Sequence, residues 1–290
     1  MKLDSGDSDM GRFARTWQLM GASWEMLKQD KRLIVFPLIS GVALAIIIAL
    51  FAVPMFIEMG GHPTGPVRFS PQMYLPLFVF YFLDYFVIIF FNSALIACVL
   101  KQIAGGQPTL GYGLAFAWQR LPQILGWALL TSTVGILLRL LEQKVGFIGR
   151  IVVGLLGMAW SVTSFLVVPV LVAEGSGPIE SYKRSVEMLK STWGEQIIGN
   201  VSFGLLFALF GIVPAAILFF LVLQVGQAAM LIVGAILVIW LVALALVQST
   251  LQTIYQVAIY LYAANGEAPT GFDNQLVADA FRPKPSKGWT

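Results

Sequence analysis

The sequence predicts an all-α fold, a polytopic membrane bundle of six transmembrane helices, and three observations carry that prediction. Of 290 residues, 58% are hydrophobic and only 11% are charged, with a mean hydropathy of +0.82, whereas a soluble globular chain has about 25% charged residues. The apolar residues fall into six long, nearly uncharged runs. None of these runs alternates polar with apolar residues. A water-soluble fold cannot cover that much apolar surface, and a run of roughly 18 or more apolar residues is what a helix needs to cross ~30 Å of hydrocarbon. Continuous apolarity selects helices over a barrel, whose lipid-facing strands alternate with an interior face.

The runs lie near Leu33–Ile57, Pro76–Leu100, Ile124–Leu141, Ile151–Ala173, Ile197–Leu223 and Ala228–Val247, the last continuing as a more polar helix to about Tyr262. The first is long, begins only at Leu33 and lacks a small-residue cleavage pattern, so it is expected to be a retained span and not a signal peptide. Cys98 is the single cysteine and sits inside an apolar run, which excludes an intramolecular disulfide and leaves no cysteine-based metal site.

Lysine and arginine fix the expected orientation, because short loops rich in them stay in the cytoplasm. Fourteen of the 18 lie in the N-terminal segment, the 2–3 and 4–5 connections and the tail, leaving Arg68, Arg139, Lys144 and Arg150 for the opposite side. Both termini are therefore expected to be cytoplasmic.

Each even-numbered run ends in the same punctuation, Gly-x-x-Pro, at Gly105–Pro108, Gly175–Pro178 and Gly266–Pro269. Glycine takes the left-handed conformation that ends a helix, and proline suits the first position of the next one. A short amphipathic helix is expected to follow each time. In the N-terminal segment Phe13, Trp17, Met20, Trp24 and Leu27 form an apolar stripe opposite Arg12, Arg15, Thr16, Ser23 and Lys28. After the fourth run the stripe is Ile179, Tyr182, Val186, Leu189 and Trp193, opposite Lys183, Arg184, Glu187 and Lys190. The two segments also match in letter and register, Ser-Trp-Glu-Met-Leu-Lys from Ser23 against Ser-Val-Glu-Met-Leu-Lys from Ser185. A weaker copy follows the second run, with Leu110, Leu114, Ala117 and Leu121, and only the start of a fourth copy follows the sixth, with Phe272 and Leu276.

The expected organisation is thus a disordered N-terminus over 1–10, a six-helix domain over 11–281 and a flexible tail over 282–290. The domain is built from three repeats of an interfacial amphipathic helix plus a helical hairpin, at about 11–104, 105–174 and 175–265. Trp17, Trp24, Lys28, Lys183, Arg184 and Trp193 are the candidate membrane-interface residues, since an apolar stripe bearing Trp and flanked by basic residues suits the headgroup boundary.

The candidate intramembrane polar site begins with Asp84, about eight residues into the second run, where an ionised carboxylate costs ~2.5–3.5 kcal/mol on insertion scales. Arg139 is the expected partner, the alternative being that Asp84 binds a proton or cation. Counting back from each Gly-x-x-Pro gives a second cluster at one expected depth, Asn92 and Ser93, then Ser161, Thr163 and Ser164, then Gln252 and Thr253. Gln248, Gln252 and Gln256 add a stripe at spacing four. This cluster is read either as interhelical hydrogen bonding, worth ~0.6 kcal/mol a pair in membranes, or as the lining of a polar cavity between helices 2, 4 and 6.

Enzymatic readings find little support. His62 is the only histidine and has Glu58 as its one acidic neighbour in sequence, too little for a metal site or a triad. Gly60–Gly61 is followed by neither Lys-Ser/Thr nor a helix pattern, so it is no phosphate cradle. No cofactor, catalytic residue or metal site is expected, and without a basic soluble domain nucleic-acid binding is not expected either.

The stretch Val168-Pro169-Val170-Leu171-Val172-Ala173-Glu174-Gly175, then Gly177-Pro178, Lys183-Arg184-Ser185 and Thr192-Trp193-Gly194-Glu195, resembles a prokaryotic family of six-helix integral membrane proteins described as a domain of unknown function. Phe91-Asn92-Ser93-Ala94-Leu95 running into the turn at Gly105 is similar to it too, and the resemblance extends from about Gly11 to Phe281. It implies fold and location and brings no catalytic residues. The expectation is a non-enzymatic membrane-organising or accessory protein of a prokaryotic plasma membrane. Its partners are membrane lipids and, laterally, a second copy or other membrane proteins. The alternative is a small-molecule or lipid transporter.

Overall fold

Long apolar runs without internal breakers become single helices wherever each backbone group can bond within the segment. The computed structural model describes residues 12–58, 74–192, 211, 227–269 and 272, and the described residues are all-helical with no strand. The order is α1 (Arg12–Gln29), a 3₁₀ turn (Lys31–Ile34), α2 (Val35–Glu58), α3 (Tyr74–Ile103), α4 (Leu110–Gln119), α5 (Leu121–Lys144), α6 (Phe147–Thr163), α7 (Val167–Glu174), α8 (Pro178–Thr192) and α9 (Gln227–Asn265). Among the described residues five helical stretches are long and apolar enough to cross a membrane: Lys31–Pro54, Leu75–Ile103, Leu121–Lys144, Phe147–Glu174 and Ile232–Asn265. They correspond to the first, second, third, fourth and sixth apolar runs. The fifth run, Ile197–Leu223, lies outside the described residues apart from position 211, as do residues 1–10, the Gly60–His62 loop, Trp193, Leu276 and the tail. The side chains of Phe13 and Trp17 are also outside them.

The chain divides into two compact units, one of Val35–Glu187 and one combining the N-terminal segment to Ile34 with residues from Met188 onward. In the first, α3 is the hub, in contact with α2, α4, α5 and α7, while α6 pairs with α5. In the second, α1 and the 3₁₀ turn pack on α9.

The three Gly-x-x-Pro glycines, Gly105, Gly175 and Gly266, have φ of 79°, 69° and 77°. These are the left-handed helix stops the sequence predicts. Prolines behave less uniformly: Pro178 opens α8, whereas α4 is capped by Thr109, whose side chain accepts from the Tyr112 N–H at 3.1 Å. Pro108 therefore precedes the cap and does not begin the helix.

The short helices bury a face that overlaps the expected apolar stripe only in part. From Met20 onward on α1 the buried residues are Met20, Ser23, Met26 and Leu27, while Trp24 is 41% exposed. On α8 Ser181, Ser185, Met188 and Leu189 are buried and Ile179 is exposed. The apolar stripe is thus split between protein and surroundings, and the serine assigned to the polar side of α1 turns inward. In the matched stretches Ser23, Met26 and Leu27 are buried at the positions of Ser185, Met188 and Leu189, and Glu25 and Lys28 are exposed at those of Glu187 and Lys190.

Candidate functional site

The fourth span is broken. α6 ends at Thr163, α7 begins at Val167, and the cause lies in Pro169. A proline has no N–H to give the carbonyl four residues earlier, here Phe165, and its ring collides with that carbonyl. Around the break the backbone tightens, with Phe165 N–H bonding the Val162 carbonyl at 3.1 Å and Val167 N–H bonding that of Ser164 at 3.1 Å. Two groups are freed, the Thr163 carbonyl and the Leu166 N–H. Ser185 of α8 satisfies both, donating its hydroxyl to Thr163 O at 2.8 Å and accepting from Leu166 N–H at 3.2 Å. Ser185 and Leu166 are both fully buried, so no solvent would replace the bond to the Leu166 N–H if Ser185 were absent.

Further contacts hold α8 against the break. The Tyr182 and Thr163 hydroxyls lie 3.0 Å apart. The Tyr182 ring stacks with Trp160 at 5.2 Å and with Trp127 of α5 at 6.2 Å, and the two tryptophans lie 5.7 Å apart. Pro178 fills the space beside Gly126, where a Cβ would approach its Cγ to 2.7 Å. Glu180 bonds back to the Gly177 N–H at 3.2 Å, the acidic half of a capping box, and Ser176 and Ser181 pair through their hydroxyls at 2.8 Å. Arg184 reaches Glu174 at 3.6 Å; both are largely exposed, so this pair contributes about 0–1 kcal/mol.

The candidate polar residues therefore separate into different roles. Ser161, Thr163 and Ser164 bond the carbonyls of Gly157, Ala159 and Trp160 on their own helix, and Thr163 also meets Tyr182. They belong to the break. Asn92 is half-buried and Ser93 fully buried on α3, and the Ser93 hydroxyl has no hydrogen-bond partner among the described residues. Gln248, Gln252, Thr253 and Gln256 lie on α9, in the other unit. Thr253 is buried and bonds Ser249 O at 3.0 Å, Gln248 and Gln256 are half-buried, and Gln252 is exposed. The four do not form one inward stripe. Arg139 donates to the Tyr81 hydroxyl at 2.9 Å, and the buried Oδ1 of Asp84 has no hydrogen-bond partner among the described residues. The expected Asp84–Arg139 pair is thus replaced by an arginine–tyrosine contact one turn away on α3.

Of the interface candidates, Trp24 and Lys28 are exposed, with Lys28 paired to Glu25 at 2.8 Å, and Lys183 and Arg184 are exposed on α8. Sequence reasoning missed Tyr182, Trp127 and Trp160 as a group and named Ser185 only within a shared motif. The available signal was Pro169 inside an apolar run, which leaves backbone groups that some polar side chain has to meet. Among the described residues no group of three or more His, Cys, Asp or Glu side chains is placed to hold a metal ion.

Described residues that are all-helical, with five helical stretches among them able to span a bilayer, one broken and held by a short basic helix, have the architecture of a polytopic membrane protein. The chain belongs to DUF6159, a family of unknown function whose model matches residues 72–272. No curated protein and no solved structure matches the chain.

Proposed function

We propose that the chain is a non-enzymatic, membrane-organising protein of a prokaryotic plasma membrane, a six-span bundle of three repeats with both termini in the cytoplasm. The observation that carries the reading is the way α8 is fastened. Its serine and tyrosine face is committed to the bundle, while Lys183, Arg184 and Lys190 are left exposed. A basic helix fixed in place presents charge to anionic headgroups, each basic residue contributing about 1 kcal/mol. α1 supports the same reading with exposed Trp24 beside Lys28, and α4 with Trp118, 67% exposed. The match of Ser23–Lys28 on α1 with Ser185–Lys190 on α8, identical at five of six positions and with the same serine, methionine and leucine buried, supports the repeat.

The test is the lipid retained on purification in mild detergent. Anionic phospholipid is expected to be enriched over its share of the membrane, and Lys183→Gln with Lys190→Gln is expected to reduce that enrichment several-fold. Retained lipid that mirrors the bulk membrane would contradict the proposal.

Asp84 favours a second reading, a small-molecule or lipid transporter, because a carboxyl within a span that lacks its expected cation is a natural ion or proton site. Reconstituted vesicles should then show a proton or solute flux that Asp84→Asn abolishes without changing the melting temperature. A flux-free protein with the same melting behaviour would remove this reading.

A further inference from the structure

The first unit changes character partway along its spans. On the outer stretch of α3 Leu75, Val79 and Ile88 are exposed, but every residue from Ser93 to Val99 is buried. In α6 Leu155 and Met158 are exposed, whereas Phe165, Leu166 and Val167 past the break are buried. The switch falls at the polar residues, Ser93 on α3 and Ser161–Ser164 on α6. From Leu75 to Ser93, and from Phe147 to Ser164, the helix rises about 26–27 Å at 1.5 Å per residue. That is close to the ~30 Å hydrocarbon thickness.

Contacts between the helices place the two switches at one level. Arg139 meets Tyr81, and Gly135 faces Tyr85, so α5 runs antiparallel to α3. Continuing that register inward sets Trp127 opposite Ser93. Trp127 stacks on Trp160, one turn before Ser164. α8 lies across this level and not along the spans: Pro178 touches Gly126, Tyr182 stacks on Trp127, and Ser185 bonds Thr163 and Leu166. The eight residues of α8 from Pro178 to Ser185, about 10 Å of helix, thus meet neighbours that differ little in depth. Taken by itself, α9 shows a similar change, with exposed Ile232, Ile236 and Trp240 giving way to buried residues from Thr250.

We infer that the inner boundary of the bilayer crosses the bundle at Ser93 and Ser161–Ser164, and that α8 lies in the headgroup layer with Lys183 and Lys190 toward anionic phosphates. The inner ends of α3 and α7 then project past the hydrocarbon, enclosed by protein and not by lipid. This accounts for the position of the helix break, since irregular backbone is tolerated where protein or water, not hydrocarbon, surrounds it. It also accounts for the serines and threonines gathered there, and it puts Asp84, nine residues outward from Ser93, near mid-bilayer. The assignment of α8 to anionic headgroups rests on the membrane-organising reading, whereas the boundary itself does not.

Spin labels on single cysteines, in a Cys98→Ala background and in phosphatidylglycerol-containing vesicles, test the boundary. Collision with oxygen is expected to dominate at Leu155 and Met158. A water-soluble nickel chelate is expected to dominate at Ala173 and Lys183, the crossover falling near Ser161. A second series at exposed Leu137, Leu129 and Leu125 on α5 carries the test should a labelled variant fail to fold. Oxygen dominance persisting through Ala173, or nickel access already high at Leu155, would overturn the boundary. A correct crossover together with unselective lipid retention would leave the boundary standing and remove the anionic-lipid assignment.

Discussion

Gly113→Ala is expected to lower the melting temperature of the detergent-solubilised protein, although alanine is the better helix former by about 1 kcal/mol. The reason is local. A Cβ at Gly113 would lie 2.7 Å from the Ala94 carbonyl, from Cys98 Sγ and from the Phe36 ring. The first of these is backbone in the middle of α3, the hub of its unit, and Phe36 and Cys98 are themselves buried. None can yield without moving a helix, and overpacking of this kind costs about 1–3 kcal/mol, which outweighs the propensity gain. Gly113→Leu should leave no folded protein to recover. Gly111, on the same helix, is the control: it is exposed and nothing lies within 4 Å of its Cβ position, so Gly111→Ala should leave the melting temperature unchanged or raise it. Equal behaviour of the two alanine variants would show that α4 does not pack on α3 as described.

Much of this architecture is legible in the chain because each feature has a local cause. Uninterrupted apolarity sets the helices, and glycine's freedom at positive φ sets the turns at Gly105, Gly175 and Gly266. What could not be read is which face of a short helix meets the bundle. An apolar stripe on α1 or α8 is equally satisfied by protein and by lipid, so hydrophobic periodicity does not choose between them. The choice is made instead by a hydrogen-bonding demand: Pro169 frees backbone groups, and the serine face of α8 turns inward to meet them. The Asp84–Arg139 pairing failed for a related reason. Arg139 lies nearer the level of Tyr81 than that of Asp84, a matter of helix register that spacing along one helix does not reveal. Of the polar residues at similar counts from the three glycines, Ser161, Thr163 and Ser164 bond carbonyls of their own helix at a break, a use that counting along the chain does not reveal.

The role assigned to Ser185 predicts a loss confined to one place. Ser185→Ala removes the donor to the half-buried Thr163 O and the acceptor for the buried Leu166 N–H, and leaving the latter without this partner costs about 1–3 kcal/mol. Thermal stability should fall by several degrees, given roughly 2–4 °C per kcal/mol for chains of 150–250 residues. The more direct measurement is amide hydrogen exchange of the Phe165–Val167 segment in the native protein, compared with the Ser185→Ala variant. Protection of this segment is expected to drop by about tenfold or more, since each 1.4 kcal/mol is a factor of ten in an opening equilibrium, while the Ala94–Val99 stretch of α3 keeps its protection. Unchanged protection at Leu166 in the alanine variant would contradict the claim that α8 holds the broken span together.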